Sequence, residues 1–454
     1  MSTLKFELGQ VAHSRLALAA IVLLALLSAL SVWTGLQATA RQQASLERIA
    51  ASHAGDVDAI AAKQLKGKEG GAEAGSVGYY LPHLTVNPPA PLAFAAIGQR
   101  DLQPSALRVR LLGLHAQLYE SEAINPELAM PGRFDFAFVL VYLTPLFVIA
   151  LMHDLVTSER EAGRLRLLAS LPAGAANTWR RRVGLRYALV WLAALLPVAV
   201  GAGVAGAGMV GFGLIALVAS LYLGFWFGLA AWVAARARTS ACSAATLLAC
   251  LVGLSMILPT LADAAIARLS PVSKGVELAL AQRQAVHAGW DIPKPVTFER
   301  FFRSHPEWKD TPPVEGRFHW KWYYAMHQAG DDAVADDVAQ YRASLRAREA
   351  WTARVGLLLA PVNVQVLLHR LADSDLAAQL AYQERIGEFH ARLRRFFYPY
   401  LFHERTMTAQ DINKLPVYEN GSNGGALALG QVLALAVLAL VMLLTGLRKL
   451  RTLQ

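Results

Sequence analysis

Five uncharged stretches punctuate the chain: Leu16–Leu36, Phe136–Met152, Tyr187–Ala235, Thr239–Ala262 and Gly424–Leu447. A helix rising about 1.5 Å per residue crosses a hydrocarbon core of roughly 30 Å in about 20 residues, so four of them have the length of single spans. The Phe136 stretch is slightly short and borrows neutral residues beyond His153 and Asp154. The Tyr187 stretch is long enough for about two crossings, and its glycine-rich middle, Gly201–Gly213, is where a tight hairpin turns. The pattern predicts transmembrane helices over 16–37, 136–156, 184–204, 212–235, 239–262 and 424–447. The first run is too long for a signal peptide and no small-residue cleavage pattern follows it, so it is expected to stay as an anchor.

Two polar segments separate these helices, 38–135 and 267–423. Both carry helical periodicity, as in "RQQASLERIAASHAGDVDAIAAKQL" and "DVAQYRASLRAREAWTARVGLLL". Breakers such as "KGKEGGAEAG", "NPPAP" and "KDTPPVEG" lie between the periodic stretches. Val355–Leu368 is apolar but too short to span and holds Pro361, which makes it a buried core helix or an interfacial segment. The expected fold class is an all-α membrane protein: six transmembrane helices with a mostly helical extracytoplasmic domain formed by the two long loops.

Charge orients this arrangement. Of the residues, 55% are hydrophobic and only 17% charged, and the formal net charge is +10. Lys5 and Arg15 precede the first span, and seven arginines (160, 164, 166, 180, 181, 182 and 186) lie between the second and third. Arg236 and Arg238 separate the fourth and fifth, and Arg448, Lys449 and Arg451 follow the last. Six spans put all four basic segments on one side, which the positive-inside bias makes cytoplasmic, with both termini (1–15 and 448–454). The basic balance is then a topology signature, and no nucleic-acid partner is expected.

Catalytic patterns are absent. There is no G-x-x-x-x-G-K-[ST] phosphate loop, "HERTM" lacks the second histidine of a zinc-protease helix, and no G-x-S-x-G elbow occurs. The chain is therefore read as a non-enzyme with no metal or cofactor of its own. The spans carry no central Asp, Glu, Lys or Arg of the kind an ion-coupled carrier uses as a relay. Cys242 and Cys250 stand about 12 Å apart along one helix, too far for a disulfide. In "RFHWKWYYAMHQAGDD", His319, Trp322 and His327 are candidates for a ligand or partner contact. The competing reading is an amphipathic helix whose aromatics pack a core or rest near the membrane interface. Two histidines eight residues apart are poorly placed for one metal.

The stretch between the second and third spans, 157–183, is the most informative. "TSEREAGRLRLLASLPAGAANTWRRR" combines a Glu-Arg-Glu-x-Gly start with a leucine-rich helix and a Pro-Gly stop, more than a loop that merely sets topology requires. Its residues Glu159, Arg160, Glu161, Gly163, Leu165, Leu168 and Pro172 closely resemble the E-R-E-x-G-T-[LI]-x-x-L-L-[ST]-x-P signature of ABC-2-type transporter permeases. Arg164 stands where the family commonly has Thr. "LKFELGQVAHSR" likewise resembles the family's amphipathic N-terminal helix, with Phe6 and Leu8 toward lipid and Lys5, Glu7 and Arg15 toward water. The outer segments look like those of a bacterial subfamily without an assigned function.

The resemblance implies a coupling helix that docks on separate ABC ATP-binding subunits, with ATP and Mg held there and not here. It further implies a second permease as homodimer or heterodimer partner, a bacterial inner-membrane location, and export. Leu165 and Leu168 would supply the apolar contact and Gly163 a close approach. Membrane lipid surrounds such a chain, and a periplasmic protein is a further candidate partner if the outer domain transmits motion without passing a substrate. Pro145 and Pro197 are candidate bend points.

Overall fold

The computed structural model describes residues 3–68, 70–119, 134–165, 167, 174–272, 275–421 and 428–452. It is helical with four short strands among the described residues, and six helices are long and apolar enough to cross a membrane. The architecture is that of an all-α membrane protein.

Helix α1 (Thr3–His13) breaks at Ser14, whose hydroxyl accepts the Ala17 N–H and starts α2 (Arg15–Leu65). The first apolar run and the polar periodic stretch after it are thus one helix of 51 residues, roughly 75 Å long. Strand β1 (Ala72–Glu73), α3 (Ala74–Tyr80), β2 (His83–Val86), β3 (Ala106–Val109) and α4 (Leu114–Leu118) follow. Helix α5 (Phe136–Glu161) is capped by Asp135, whose carboxylate accepts N–H groups from both Phe138 and Ile97.

Two helices, α6 (Gly174–Val204) and α7 (Gly208–Arg236), form the long apolar hairpin; Gly206 and Gly208 take positive φ at its turn. Helix α8 (Ser240–Leu269) leaves the end of α7 through Thr239, which caps it by accepting the Cys242 N–H. The second polar segment forms α9 (Gly275–Ala288), α10 (Lys294–Ser304), α11 (Trp320–Ala333), α12 (Ala335–Gly356), α13 (Ala360–Leu371), α14 (Leu376–Phe402) and β4 (Thr406–Met407). Helix α15 (Leu429–Arg451) is the last apolar helix.

One large apolar core joins these long helices. Its tightest crossing is α7 against α15: a Cβ added to Gly228 would lie 2.5 Å from the Leu443 nitrogen, and Gly446 faces the Gly228 carbonyl. Small residues let these backbones touch, which strengthens helix contacts where lipid removes the hydrophobic drive. Helix α5 contains a π turn at Val139–Leu143, just before Pro145. Proline has no N–H for Val141, and the Tyr222 hydroxyl takes over by donating to the Val141 carbonyl at 2.8 Å. Pro197 lies inside α6.

Two polar-segment pieces enter this core. Leu92–Ala96, between β2 and β3, wedges Phe94 against Gly35 of α2 and Gly201 of α6; no Cβ fits at either glycine. Helix α13 begins with Pro361 at its first turn and buries Val364, Leu367, Leu368 and Leu371. Its Asn363 amide donates to the Gln431 carbonyl at 3.0 Å. The stretch Val355–Leu368 is not one helix: Val355 and Gly356 end α12, Leu357 and Leu358 are exposed, and the buried helix starts at Ala360.

A second core, rich in aromatic residues, draws on both polar segments. The segments also pair directly, β1 with β4 and the Tyr324 hydroxyl with the Gly75 carbonyl at 2.9 Å. The polar end of α2 lies on this core through Val57, Ile60, Ala61 and Leu65.

Candidate functional site

At the end of α5, the E-R-E-x-G residues are held by the ends of neighbouring helices. Glu161 Oε1 accepts the Ser240 backbone N–H at 2.9 Å and its Oε2 accepts the Ser240 hydroxyl at 3.2 Å, at the first turn of α8. A carboxylate there meets unsatisfied N–H groups and the positive end of the helix dipole. Arg160 donates to the Ala235 carbonyl at 3.1 Å and to the Ala237 carbonyl, closing the other polarity at the end of α7. The motif's Glu-Arg pair thus bridges the α7–α8 junction.

Glu159 faces the other way. It accepts Arg164 at 2.7 Å and Arg182 at 3.2 Å, and Arg182 also contacts Glu7 of α1 at 3.3 Å. Glu7, expected to face water on the amphipathic N-terminal helix, is therefore turned inward with its side chain 12% exposed, because Arg182 offers it a partner. Leu8 is exposed; the Lys5 and Phe6 side chains lie outside the described set.

Gly163 has φ +69°, and among the described residues nothing lies within 4 Å of where its Cβ would be. Within this chain the glycine serves backbone conformation and does not provide a close approach. Leu165 is half-buried against the apolar core, while Leu167, which sequence reasoning passed over, is 67% exposed beside the charged residues. Leu168 and Pro172 lie outside the described residues.

The three outer candidates share α11 but sit in different settings. His319 caps the helix, its Nδ1 accepting the Lys321 N–H at 3.2 Å. Trp322 is 3% exposed and packs edge-on to Trp290, with the Lys294 ammonium over its ring, so it is a core residue. His327 Nδ1 accepts the Gly113 N–H at 3.2 Å. Among the described residues no group of three or more His, Cys, Asp or Glu has metal-binding geometry.

None of the three lines the polar cleft of about 480 Å³ that His115, Ser304, Asp332, His390, Arg394 and Tyr398, among others, form. Asp331 is its anchor: it accepts Arg394 at 2.7 Å and the Leu114 and His115 N–H groups at 2.9 and 3.3 Å. Burial raises the Asp331 carboxyl, but Arg394, His115 and the Leu114 N–H outweigh it and hold it below the usual carboxylate range. Burial pushes His390 down to about 3; its ring donates to the Arg110 carbonyl at 3.0 Å. Ser304 donates to Asp332 at 2.7 Å, so the nearby His305 nitrogen at 2.9 Å is not placed to accept its proton as a nucleophile's base would. With the Gln282 amide donating to Asp331 at 3.3 Å, these bonds knit α4, α9, α10, α11 and α14 together.

Sequence reasoning missed this network. Its signal was Arg394, a charge beside the apolar stripe Ile386, His390, Leu393, Phe397 and Leu401 on one helix face.

Comparison with known families matches residues 276–420 to DUF3526, a domain of unknown function. The matched stretch runs from α9 through α14 and β4 to the start of the last linker and holds most of the polar cleft. Comparison with curated proteins and with solved structures finds no match.

Proposed function

We propose that this chain is the membrane-spanning permease subunit of a bacterial ABC transporter, an exporter driven by separate ATP-binding subunits. The observation that carries the reading is the seat of the E-R-E-x-G segment. Arg160 and Glu161 grip the facing ends of α7 and α8. A push on this segment is then delivered to two apolar helices at once, which is what a coupling element must do. Leu167 is an exposed apolar side chain of this segment, and the reading seats it in the ATPase groove. In this reading six spans place both termini in the cytoplasm and the aromatic-rich core outside, and a second permease completes the complex.

The test is co-expression with the ATP-binding subunits and purification from the membrane. Leu167→Asp should insert in normal amounts yet lose the ATPase subunits and stimulated ATP turnover. An intact, fully active complex would overturn the docking role. The permease purified alone should hydrolyse no ATP above background.

A second reading is supported by α2. Its single helix of 51 residues reaches from the apolar core to the aromatic core, a rigid lever between them. A mechanotransmitter would use that lever to act on a periplasmic protein without moving a substrate. A glycine pair inserted near Arg41 would soften the lever: a mechanotransmitter loses output at normal ATP turnover, whereas an exporter retains transport.

A further inference from the structure

A second cleft of about 460 Å³ lies on the other side of His327 from the polar network. Its lining includes Arg108, Arg110, Arg283, His287 and His327, with no carboxylate among the described lining residues. Two carboxylates that neighbour it are already engaged: Asp56 with Arg108 at 3.0 Å and Asp331 with Arg394 at 2.7 Å. Among the described residues no hydrogen bond or ion pair engages the Arg110 guanidinium, and its side chain is exposed. Trp290 and Tyr323 add flat apolar walls.

His327 supplies the deciding detail. Burial pushes its ring down to about 4, so it is neutral near pH 7. Because Nδ1 accepts the Gly113 N–H, the neutral ring carries its proton on Nε2. That Nε2–H is shielded from solvent and has no acceptor among the described residues. A buried donor without an acceptor is costly and uncommon, and the ring that carries it lines a cavity already rich in cationic donors.

The geometry points to an anion-binding site for a small organic anion, a phosphate or carboxylate carried on a flat apolar body. Arg110 supplies a charge-assisted, fork-shaped contact, His327 Nε2–H a neutral donor, and Trp290 with Tyr323 the surface for the apolar part. The volume falls in the range of small-molecule pockets. The site stands apart from the transport reading and survives its failure.

Calorimetric titration of the full chain in detergent micelles tests it, with phenyl phosphate as the probe and benzyl alcohol as the uncharged counterpart. Phenyl phosphate should bind and benzyl alcohol should not. Arg110→Gln should weaken binding by about ten-fold or more, and His327→Phe, which fills the space without a donor, should also weaken it. Arg303→Gln removes the same charge from an exposed pair elsewhere and should leave binding unchanged. No binding, equal binding of the alcohol, or equal loss in Arg303→Gln overturns the site. Repeating the titration in phosphatidylglycerol and phosphatidylcholine nanodiscs separates two sources of the anion. Weaker phenyl phosphate binding in the former marks a lipid phosphate and equal binding a soluble anion, and either outcome upholds the site.

Discussion

The apolar bundle and the aromatic-rich domain hold themselves together in opposite ways. In the bundle, Gly228 and Gly446 bring α7 and α15 into backbone contact, and few charges are buried. In the aromatic-rich domain, Phe301 stacks on Phe402 at 4.9 Å while Asp331, Lys321 and His390 are buried among the rings. On the proposed topology the difference follows from the surroundings. Between helices already in lipid there is no water to expel, so close approach decides stability; in an aqueous domain large rings supply the burial, and charged networks fix its geometry.

Breaking the ionic network should have the largest effect. Asp331→Ala leaves Arg394 buried without its carboxylate and strips the acceptor from Leu114 and His115, and loss of one partner of a buried pair costs about 3–5 kcal/mol. Limited proteolysis should then cut within 275–421 while the bundle stays protected. Equal loss of both regions would mean they fold as one unit.

Acid sharpens the same contrast. Burial holds His83 and His327 down to about 4 and His390 to about 3. Their folded pKa lies below the unfolded value near 6.5, so the unfolded chain binds more protons in the window between, and stability falls as pH drops from about 6.5 toward 4. Each buried histidine can contribute up to about 1.4 kcal/mol per pH unit there. Tryptophan fluorescence at pH 7 and pH 5 should show the aromatic domain loosening before helical circular dichroism from the bundle changes. Flat stability across that window would contradict the buried-neutral assignment.

The bundle's counterpart is smaller. Gly228→Ala forces the backbones of α7 and α15 apart, and overpacking costs about 1–3 kcal/mol. The protein should lose thermal stability in detergent with little change in proteolysis of 275–421. Gly213→Ala, in the same helix with open space around it, is the control and should be silent.

How much of this was readable depended on whether the signal was local. Long uncharged runs announced the apolar helices, since length and hydropathy need no knowledge of neighbours. The turn at Gly206 and Gly208 fell inside the glycine-rich hairpin for the same reason. Where packing across the chain decides, the sequence was silent. "LAFAAI" is too short and too close to three prolines to look like core, yet Phe94 fits into gaps that only Gly35 and Gly201 leave open. No break marks the point where α2 leaves the apolar core, so the single lever could not be told from two helices. The E-R-E-x-G residues stood out as a motif, but the partners of Arg160 and Glu161 lie about 75 to 79 positions away, at the α7–α8 junction.

The smallest expected effect returns to a glycine of the other kind. Gly228 is needed for space, whereas Gly163 has open space and a left-handed backbone. The substitutions that discriminate the two are therefore different. Asparagine tolerates φ near +69° better than other side chains, and a β-branched residue tolerates it worst. Gly163→Asn should be nearly neutral and Gly163→Val should cost about 1–2 kcal/mol locally, loosening the hold of Glu159 on Arg164 without affecting insertion. Stimulated ATP turnover of the assembled complex is the sensitive readout, because it reports the conformation of this segment while bulk stability barely moves. If Asn impairs turnover as much as Val, bulk and not backbone is what the site refuses. Gly163 would then lie under a partner surface in the complex, a close approach of the sort Gly228 makes within the bundle.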